Sequence, residues 1–401
     1  MNDHAEPRLS PGALPGWMPG RRKVLAAAGL TAVGAAWAAA GGTARAAVRP
    51  AGRVAGRAVA AAASGSALAV PIDTVPHTRT WMAWPESTTI WRRALVGVQA
   101  NIALVARTIA QYEPVFMCAN PASVAKARAT CGPAVTVTGT IPVDDCWMRD
   151  TGPVFRLDGA GGLDAVGLNF NGWGNKQNPH GNDAQVARRI AAYVGVPFTA
   201  AGLVCEGGAI ETDGDATLMA TRSSIINPNR NPNMAQAQIE AAMCAAYGAS
   251  KVIWFDGISG QDITDDHVDS TSRFLADATG LVQLPLATDT DVWSNDERQQ
   301  YRILSAATDA QGLPIQVTRL QGPDYNLIRS TNPNFVGSYA NYYLCNGAVI
   351  SAQFGDSGAD VAAYDTLSAL FPDRVVEQLD IDSIGAGGGG IHCVTQQQPA
   401  G

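Results

Sequence analysis

Two hydrophobic periods take turns along this chain. From Gln99 to Tyr112 the apolar residues Ile102, Leu104, Val105 and Ile109 keep helical spacing, and Pro114 closes the run. Val115-Phe116-Met117 follows as a short apolar strand, and Val135-Thr136-Val137-Thr138 alternates as another. Asn182 is placed to cap a helix running to Tyr193. Residues 216–220 and 223–227 predict paired strands, with Asp213-Gly214-Asp215 as the turn before the first. Met234 to Tyr247 predicts a helix stopped by Gly248, followed by a strand from Lys251 to Phe255. Asn295 to Ala310 is again helical and Ile315-Gln316-Val317 strand-like. Ala340 to Ala352 predicts strand, turn and strand around Asn346-Gly347, and Ala362 to Phe371 a helix ended by Pro372. The order predicts an α/β fold with strand pairs between helices, and no fixed sequence period marks a repeat.

The first seventy residues break this pattern. Arg21-Arg22-Lys23-Val24-Leu25 precedes an Ala-rich apolar stretch from Ala26 to Ala40, and Ala44-Arg45-Ala46 fits a small-x-small cleavage pattern. Residues 1–46 are therefore expected to be a twin-arginine export signal, which places the mature protein in the periplasm or outside the cell. A membrane anchor is the competing reading, but the apolar run is short and weakly hydrophobic for a span, so no stable span is expected after cleavage. Residues 47–70 are mostly Ala, Gly, Ser and Arg, with little to bury, and are expected to form a disordered linker. Residues 71–401 carry no low-complexity break until the last few positions and read as one catalytic domain.

With 46% hydrophobic and 16% charged residues among 401, the chain can bury a large core. A net charge of −7 argues against nucleic acid, whose phosphates require a basic stripe, and suits a small cationic substrate. The seven cysteines are Cys118, Cys131, Cys146, Cys205, Cys244, Cys345 and Cys393. Their odd number leaves at least one thiol unpaired, and no pair has the spacing of a zinc site. Most are expected to be free and buried, with one reactive.

Cys393 is the candidate for that one. It ends the run Gly387-Gly388-Gly389-Gly390-Ile391-His392-Cys393, where the lack of side-chain bulk lets a flat ligand approach backbone and thiol. A buried, inert cysteine is the bland reading of such a residue. Three motifs tip the balance: Trp147 to Pro153, Cys205-Glu206-Gly207-Gly208, and Asp265-Asp266-His267-Val268-Asp269. His267 among Asp262, Asp265, Asp266 and Asp269 is a proton-transfer arrangement, although the same segment also reads as a solvated acidic loop or a metal site. No metal-binding signature accompanies it, so neither metal nor organic cofactor is expected. Asp150 and Glu206 lie in Gly-rich surroundings where a carboxylate can grip a planar cation, though either acid alone is more often structural and Asp150-Thr151-Gly152-Pro153 by itself reads more readily as a turn.

Together these residues suggest hydrolysis of a guanidinium. Carboxylates hold the planar cation, Cys393 attacks its central carbon, and His267 protonates the departing ammonia and then activates water. The bound cation itself lowers the thiol's pKa.

The assembled motifs resemble the agmatine deiminase and Porphyromonas-type peptidylarginine deiminase family. The resemblance runs from Trp81-Met82-Ala83-Trp84-Pro85 to the C-terminal Gly388–Gln398 segment. It includes Trp147 to Pro153, Phe170 to Gly174, Glu206-Gly207-Gly208, Asn229-Arg230-Asn231-Pro232, Thr264 to Asp269, Asn341 to Gly347, and Gln353-Phe354-Gly355-Asp356. It implies a five-bladed α/β propeller of strand-rich ββαβ units around a central site. Carried over residue by residue, it implies Cys393 as nucleophile, His267 as acid/base, Asp150 and Asp269 as guanidinium-binding carboxylates, and Glu206 supporting His267 or the substrate. Trp147, Asn341 and Gly390 are implied at the pocket. The implied substrate is agmatine, giving N-carbamoylputrescine and ammonia, with protein citrullination by an exported peptidylarginine deiminase as the alternative and a non-catalytic guanidine-binding protein a third. Assembly of identical chains is left open. Two features depart from the agmatine pattern: Asp266 stands where Gly usually precedes the histidine, and an export signal leads a family whose agmatine branch typically works inside the cell.

Overall fold

The computed structural model describes residues 68–401. The expected export segment and most of the linker lie outside the described residues. Leu68 to Val70, read above as the end of the linker, already belong to the fold: Ala69 bridges Leu157, and the Val70 amide donates to Tyr247 O at 2.9 Å.

Five small sheets form the five blades of an α/β propeller. The first contains β1 (His77–Ala83), β2 (Val115–Cys118) and β3 (Val135–Thr138). The second contains β4 (Val154–Leu157), β5 (Leu163–Gly167) and β6 (Phe198–Ala200), and the third β7 (Ile210–Thr212), β8 (Thr217–Thr221) and β9 (Lys251–Phe255). The fourth contains β10 (Ser272–Ala276), β11 (Thr279–Leu284) and β12 (Gln316–Gln321), and the fifth β13 (Tyr343–Cys345), β14 (Ala348–Gln353) and β15 (Val375–Asp380). In blades two to five an antiparallel pair is followed by a crossover to a parallel third strand. The first blade obtains its antiparallel partner from the far end of the chain. Strand β16 (Gln396–Pro399) pairs with β1 in the register Thr80↔Gln397 and Trp81↔Gln396, which closes the ring.

The longer crossover helices are α1 (Leu95–Ile109), α2 (Val124–Cys131), α3 (Asp183–Val194), α4 (Gln236–Tyr247), α5 (Val292–Ala306) and α6 (Ser357–Leu370). Helix α1 buries Ile102, Val105 and Ile109 of the expected stripe, together with Val98, whereas Leu104 is only half-buried. Helix α4 stops at Gly248, whose φ of 72° is left-handed and favours glycine. Apolar side chains fill the wedges between neighbouring blades. Trp81, Phe155, Val186 and Ile190 join the first and second, and Met219, Phe255, Phe274 and Leu304 join the third and fourth.

Two local expectations need correction. Residues 223–227 do not pair as a strand, because Arg222–Ile225 forms a helical turn and β8 pairs with β7 and β9. The serine hydroxyls take local partners that compete with a ladder. Ser224 Oγ lies 2.7 Å from Thr221 Oγ1, and Ser223 Oγ donates to Asp265 O at 2.7 Å. Asn182 precedes α3 but its side chain does not cap it. The first amides donate instead to Asp144 Oδ2, from Asn182 at 2.6 Å and Asp183 at 3.2 Å. All seven cysteines are free thiols, and five of them are buried. Among the described residues no helix is long and apolar enough to cross a membrane.

Candidate active site

The five blades present their candidate residues at equivalent places. Each precedes the first strand of its blade's antiparallel pair by only a few residues: Asp150 before β4, Glu206 before β7, His267 and Asp269 before β10, Asn341 before β13, and Cys393 before β16. The fold thus gathers side chains that are far apart in the sequence. Asp150, His267, Asp269, Cys393 and Trp147 line a cavity of about 630 Å³.

Gly208 shows where these groups converge. A Cβ built on it would lie 2.8 Å from His267 Nδ1, 2.9 Å from Asp150 Oδ1 and 3.1 Å from Asp269 Oδ2. Glycine, with no side chain, lets one imidazole and two carboxylates close in on its backbone at a point where a methyl group would clash, and the same three side chains line the cavity. Cys393 stands beside them, with Sγ 3.8 Å from Asp269 Oδ2 and 3.4 Å from Asn341 Oδ1.

Each polar member is held from behind. Asp150 Oδ2 accepts from Trp173 Nε1 at 2.9 Å, and its Oδ1 accepts from the Gly208 amide at 3.0 Å. Glu206 is fully buried, with Oε2 3.3 Å from His267 Nε2 and Oε1 accepting from Arg230 Nε at 3.0 Å. The geometry therefore assigns Glu206 to His267 rather than to the cavity. Arg230 is braced in turn by Asp265 at 2.6 Å, and Asp265 also accepts from Lys176 Nζ at 2.6 Å. Asn341 sits behind Cys393 and accepts from its amide at 3.3 Å, while a Cβ on Gly390 would come within 2.4 Å of Asn341 Oδ1. Trp147 forms part of the wall. Its indole donates to buried Asp145 at 3.0 Å, and Trp91 donates to the same carboxylate at 2.6 Å.

The electrostatics fit a site awaiting a cation. Burial pushes the Cys393 thiol well up, and the charges of Asp269 and Asp150 add to the effect, so the thiol is neutral when the site is empty. Burial also raises Asp150, to about 6, with Asp269 and Glu206 adding to it against the pull of His267. For His267 burial disfavours the charge, but Asp150, Glu206 and Asp269 more than offset it and lift the imidazole to about 9. Glu206 and Asp269 stay below the usual carboxylate value despite burial. Glu206 is held down by His267 and Arg230, and Asp269 by His392 and His267.

The departure at Asp266 also has a backbone reason. Asp265 and Asp266 have φ of 62° and 74°, the left-handed region in which glycine is free and aspartate is tolerated. Below the cavity, Asp73, Glu211 and His392 come close enough for a shared cation. Arg273 already serves both acids, at 2.9 Å to Asp73 and 2.8 Å to Glu211. Sequence reasoning did not single out Trp173, Arg230, Lys176, Asp145, Asp73 or His392. Trp173 and Arg230 lay inside motifs that carried the resemblance, and His392 abuts Cys393, but Asp73 offered no local signal.

Comparison with known proteins agrees with this geometry. Residues 69–399 match the Porphyromonas-type peptidyl-arginine deiminase family. The chain is similar to the agmatine deiminase of Stutzerimonas stutzeri, 35% identical over 361 residues that cover 82% of this chain and 95% of the relative. It is similar also to the agmatine deiminase of Pseudomonas aeruginosa, 33% identical, with 82% and 95% covered. The solved agmatine deiminase of Enterococcus faecalis superposes with a TM-score of 0.78 at 28% identity, covering 83% of this chain and 96% of that one.

Proposed function

The chain belongs to the Porphyromonas-type peptidyl-arginine deiminase family and is a hydrolase of carbon–nitrogen bonds in linear amidines; we propose that its substrate is agmatine and that Cys393 carries the reaction covalently. One observation supports the chemistry above the rest. Asp150, His267, Asp269 and Cys393 line one cavity, with the Cys393 sulfur 3.8 Å from Asp269 Oδ2. Relatives named as agmatine deiminases favour agmatine as the substrate.

In this reading the guanidinium lies between Asp150 and Asp269, and its charge replaces the thiol proton, which leaves to solvent. The Cys393 thiolate adds to the central carbon and gives a neutral tetrahedral adduct. His267, protonated in the empty site, gives its proton to one nitrogen, and the carbon–nitrogen bond breaks to release ammonia. A cationic thiouronium remains on sulfur, and His267 is now neutral. His267 then takes a proton from water as the hydroxyl adds to the same carbon. Collapse expels the thiolate, and loss of one proton leaves N-carbamoylputrescine. That proton and the ammonia make ammonium, so the reaction balances. Glu206 keeps the imidazole charged for the first proton transfer, and Asn341 holds the thiol.

A second reading, hydrolysis of peptidyl-arginine outside the cell, is favoured by the twin-arginine start and by Arg92 in the cavity wall, where a cation suits a carboxylate. Ammonia release from agmatine, free arginine and short peptides ending in arginine distinguishes the two. Turnover of agmatine is expected, and turnover of peptides alone would refute the assignment. Cell fractionation checks the export reading.

A further inference from the structure

We propose that His392 is a positioning residue that orients the guanidinium-binding carboxylate of Asp269 and keeps it ionised, linking it to a second ionic cluster below the cavity. The inference rests on the assignment of Asp269 to the guanidinium made above.

The His392 ring is buried, and both its nitrogens face carboxylates. Nδ1 lies 2.7 Å from Asp269 Oδ2, and Nε2 lies 3.3 Å from Asp73 Oδ2. Its backbone is fixed as well. The amide donates to Asn341 O at 3.1 Å, and the carbonyl accepts from Arg149 Nε at 3.4 Å. Asp73 is no loose partner, since Arg273 donates to it at 2.9 Å and Gln397 Nε2 at 2.5 Å. The ring is therefore wedged between a site carboxylate and an anchored ion pair. Asp269 Oδ1, by contrast, is buried and takes no hydrogen bond from any described residue. One oxygen of this carboxylate is committed to His392 and also stands nearest the Cys393 sulfur, and the other is buried without a hydrogen-bond donor among the described residues, so the His392 contact fixes how the group is turned.

Electrostatics agrees with the geometry. Burial works to protonate Asp269, and the hydrogen bond from His392 is foremost among the influences that keep it ionised. The other charged groups near the pair are His267 and Arg273 on its own segment, Arg149 and Asp150 from the turn before β4, and Glu211 on β7. Cys393 and Asp73 complete the surroundings. Among the described side chains His392 makes the short contact to Asp269, at 2.7 Å, against 3.8 Å for the Cys393 sulfur.

Two substitutions separate the ring's two contacts. In His392→Asn the amide nitrogen falls near the place of Nδ1, so the bond to Asp269 survives. In His392→Gln it falls near Nε2, so only the Asp73 side survives. Rates on agmatine from pH 5 to 9, with melting temperatures as a control for folding, give the answer. The asparagine variant is expected to keep the wild-type acid limb of kcat/KM. The glutamine variant is expected to move that limb to higher pH and to raise KM at least ~10-fold near pH 6, with kcat largely retained above pH 8. An unmoved limb in His392→Gln, or equal loss in both variants when both are folded, would overturn the inference. Wild-type enzyme labelled with 15N-histidine gives a check that needs no variant: Nδ1 of His392 is expected to carry a proton throughout this range, and a bare Nδ1 would also overturn it. If wild-type enzyme hydrolyses no guanidino compound, the functional reading falls and this inference with it. If wild type turns over while the limbs coincide, this inference falls alone.

Discussion

Glu206→Gln removes a charge from beside His267 while nearly preserving shape. Glu206 Oε2 lies 3.3 Å from Nε2 in a site closed to solvent, where a unit charge at that distance is worth about 5 kcal/mol with an effective dielectric of ~20. Most of this is not lost. Asp150 still stands 3.7 Å from Nδ1, and a glutamine carbonyl can accept from the ring. A net loss of about 1.4–2.7 kcal/mol is a fair expectation and corresponds to a fall of ~1–2 pH units. The sign follows from the chemistry. His267 must be protonated to release ammonia, so activity disappears as pH rises through its pKa. The basic limb of kcat/KM, which reports the free enzyme, is expected near 9 for wild type and ~1–2 units lower in the variant. The loss is therefore small near neutral pH and grows steeply above it. The glutamine carbonyl cannot serve Arg230 and His267 at full strength together, so a drop in stability of about 1–3 kcal/mol is also expected, read by thermal melting. Steady-state rates on agmatine at half-unit steps from pH 5 to 10 give both limbs. A basic limb that does not move, in a variant that is folded at every pH tested, would refute the role given to Glu206.

Gly208→Ala places a methyl group within 2.8–3.1 Å of His267, Asp150 and Asp269 and must displace at least one of them, so it is expected to cost at least ~100-fold in kcat/KM and to lower the melting temperature; a folded variant with wild-type kcat/KM would show that the present placement of these groups is not needed. Cys393→Ala is expected to bind agmatine by calorimetry without turning it over, and detectable steady turnover would exclude the covalent route. Asp150→Asn is expected to lose binding as well as turnover, because it takes away charge that faces the cation; binding at wild-type affinity would remove Asp150 from the guanidinium contacts.

Much of the fold was legible because much of it is local. The stripe of α1, the αL stop of α4 at Gly248 and the hairpin at Asn346-Gly347 each follow from a few neighbouring residues. The five-fold repeat was not legible from periodicity. Its blades carry crossovers of different lengths, so Asp150, Glu206, His267, Asn341 and Cys393 are unevenly spaced in sequence although they occupy equivalent places before their strands. The residues that meet the cavity lay in short motifs of reactive groups among glycines. Their supports did not, because a buried arginine such as Arg230 or an acid such as Asp73 acquires its meaning from partners far along the chain. Asp73 is the extreme case: its partners are Arg273, His392 and Gln397, and nothing near residue 73 announces them.

The same placement couples folding to the chemistry. Four blades build their antiparallel pair from strands that are neighbours in sequence, but the first must wait for β16 to return to β1. Cys393 lies just before that strand, so the step that closes the ring also delivers the nucleophile. The closing segment is held at several depths. Trp81 Nε1 donates to Gln398 at 3.2 Å, Gln397 reaches Asp73, and the Cys393 carbonyl accepts from the Arg149 amide at 3.1 Å. Arg149 in turn precedes Asp150, which ties the thiol to the carboxylate opposite through one backbone bond. Loosening β16 should therefore reduce activity before it unfolds the blades, because the other four retain their own pairings while the sulfur loses its register against the two acids.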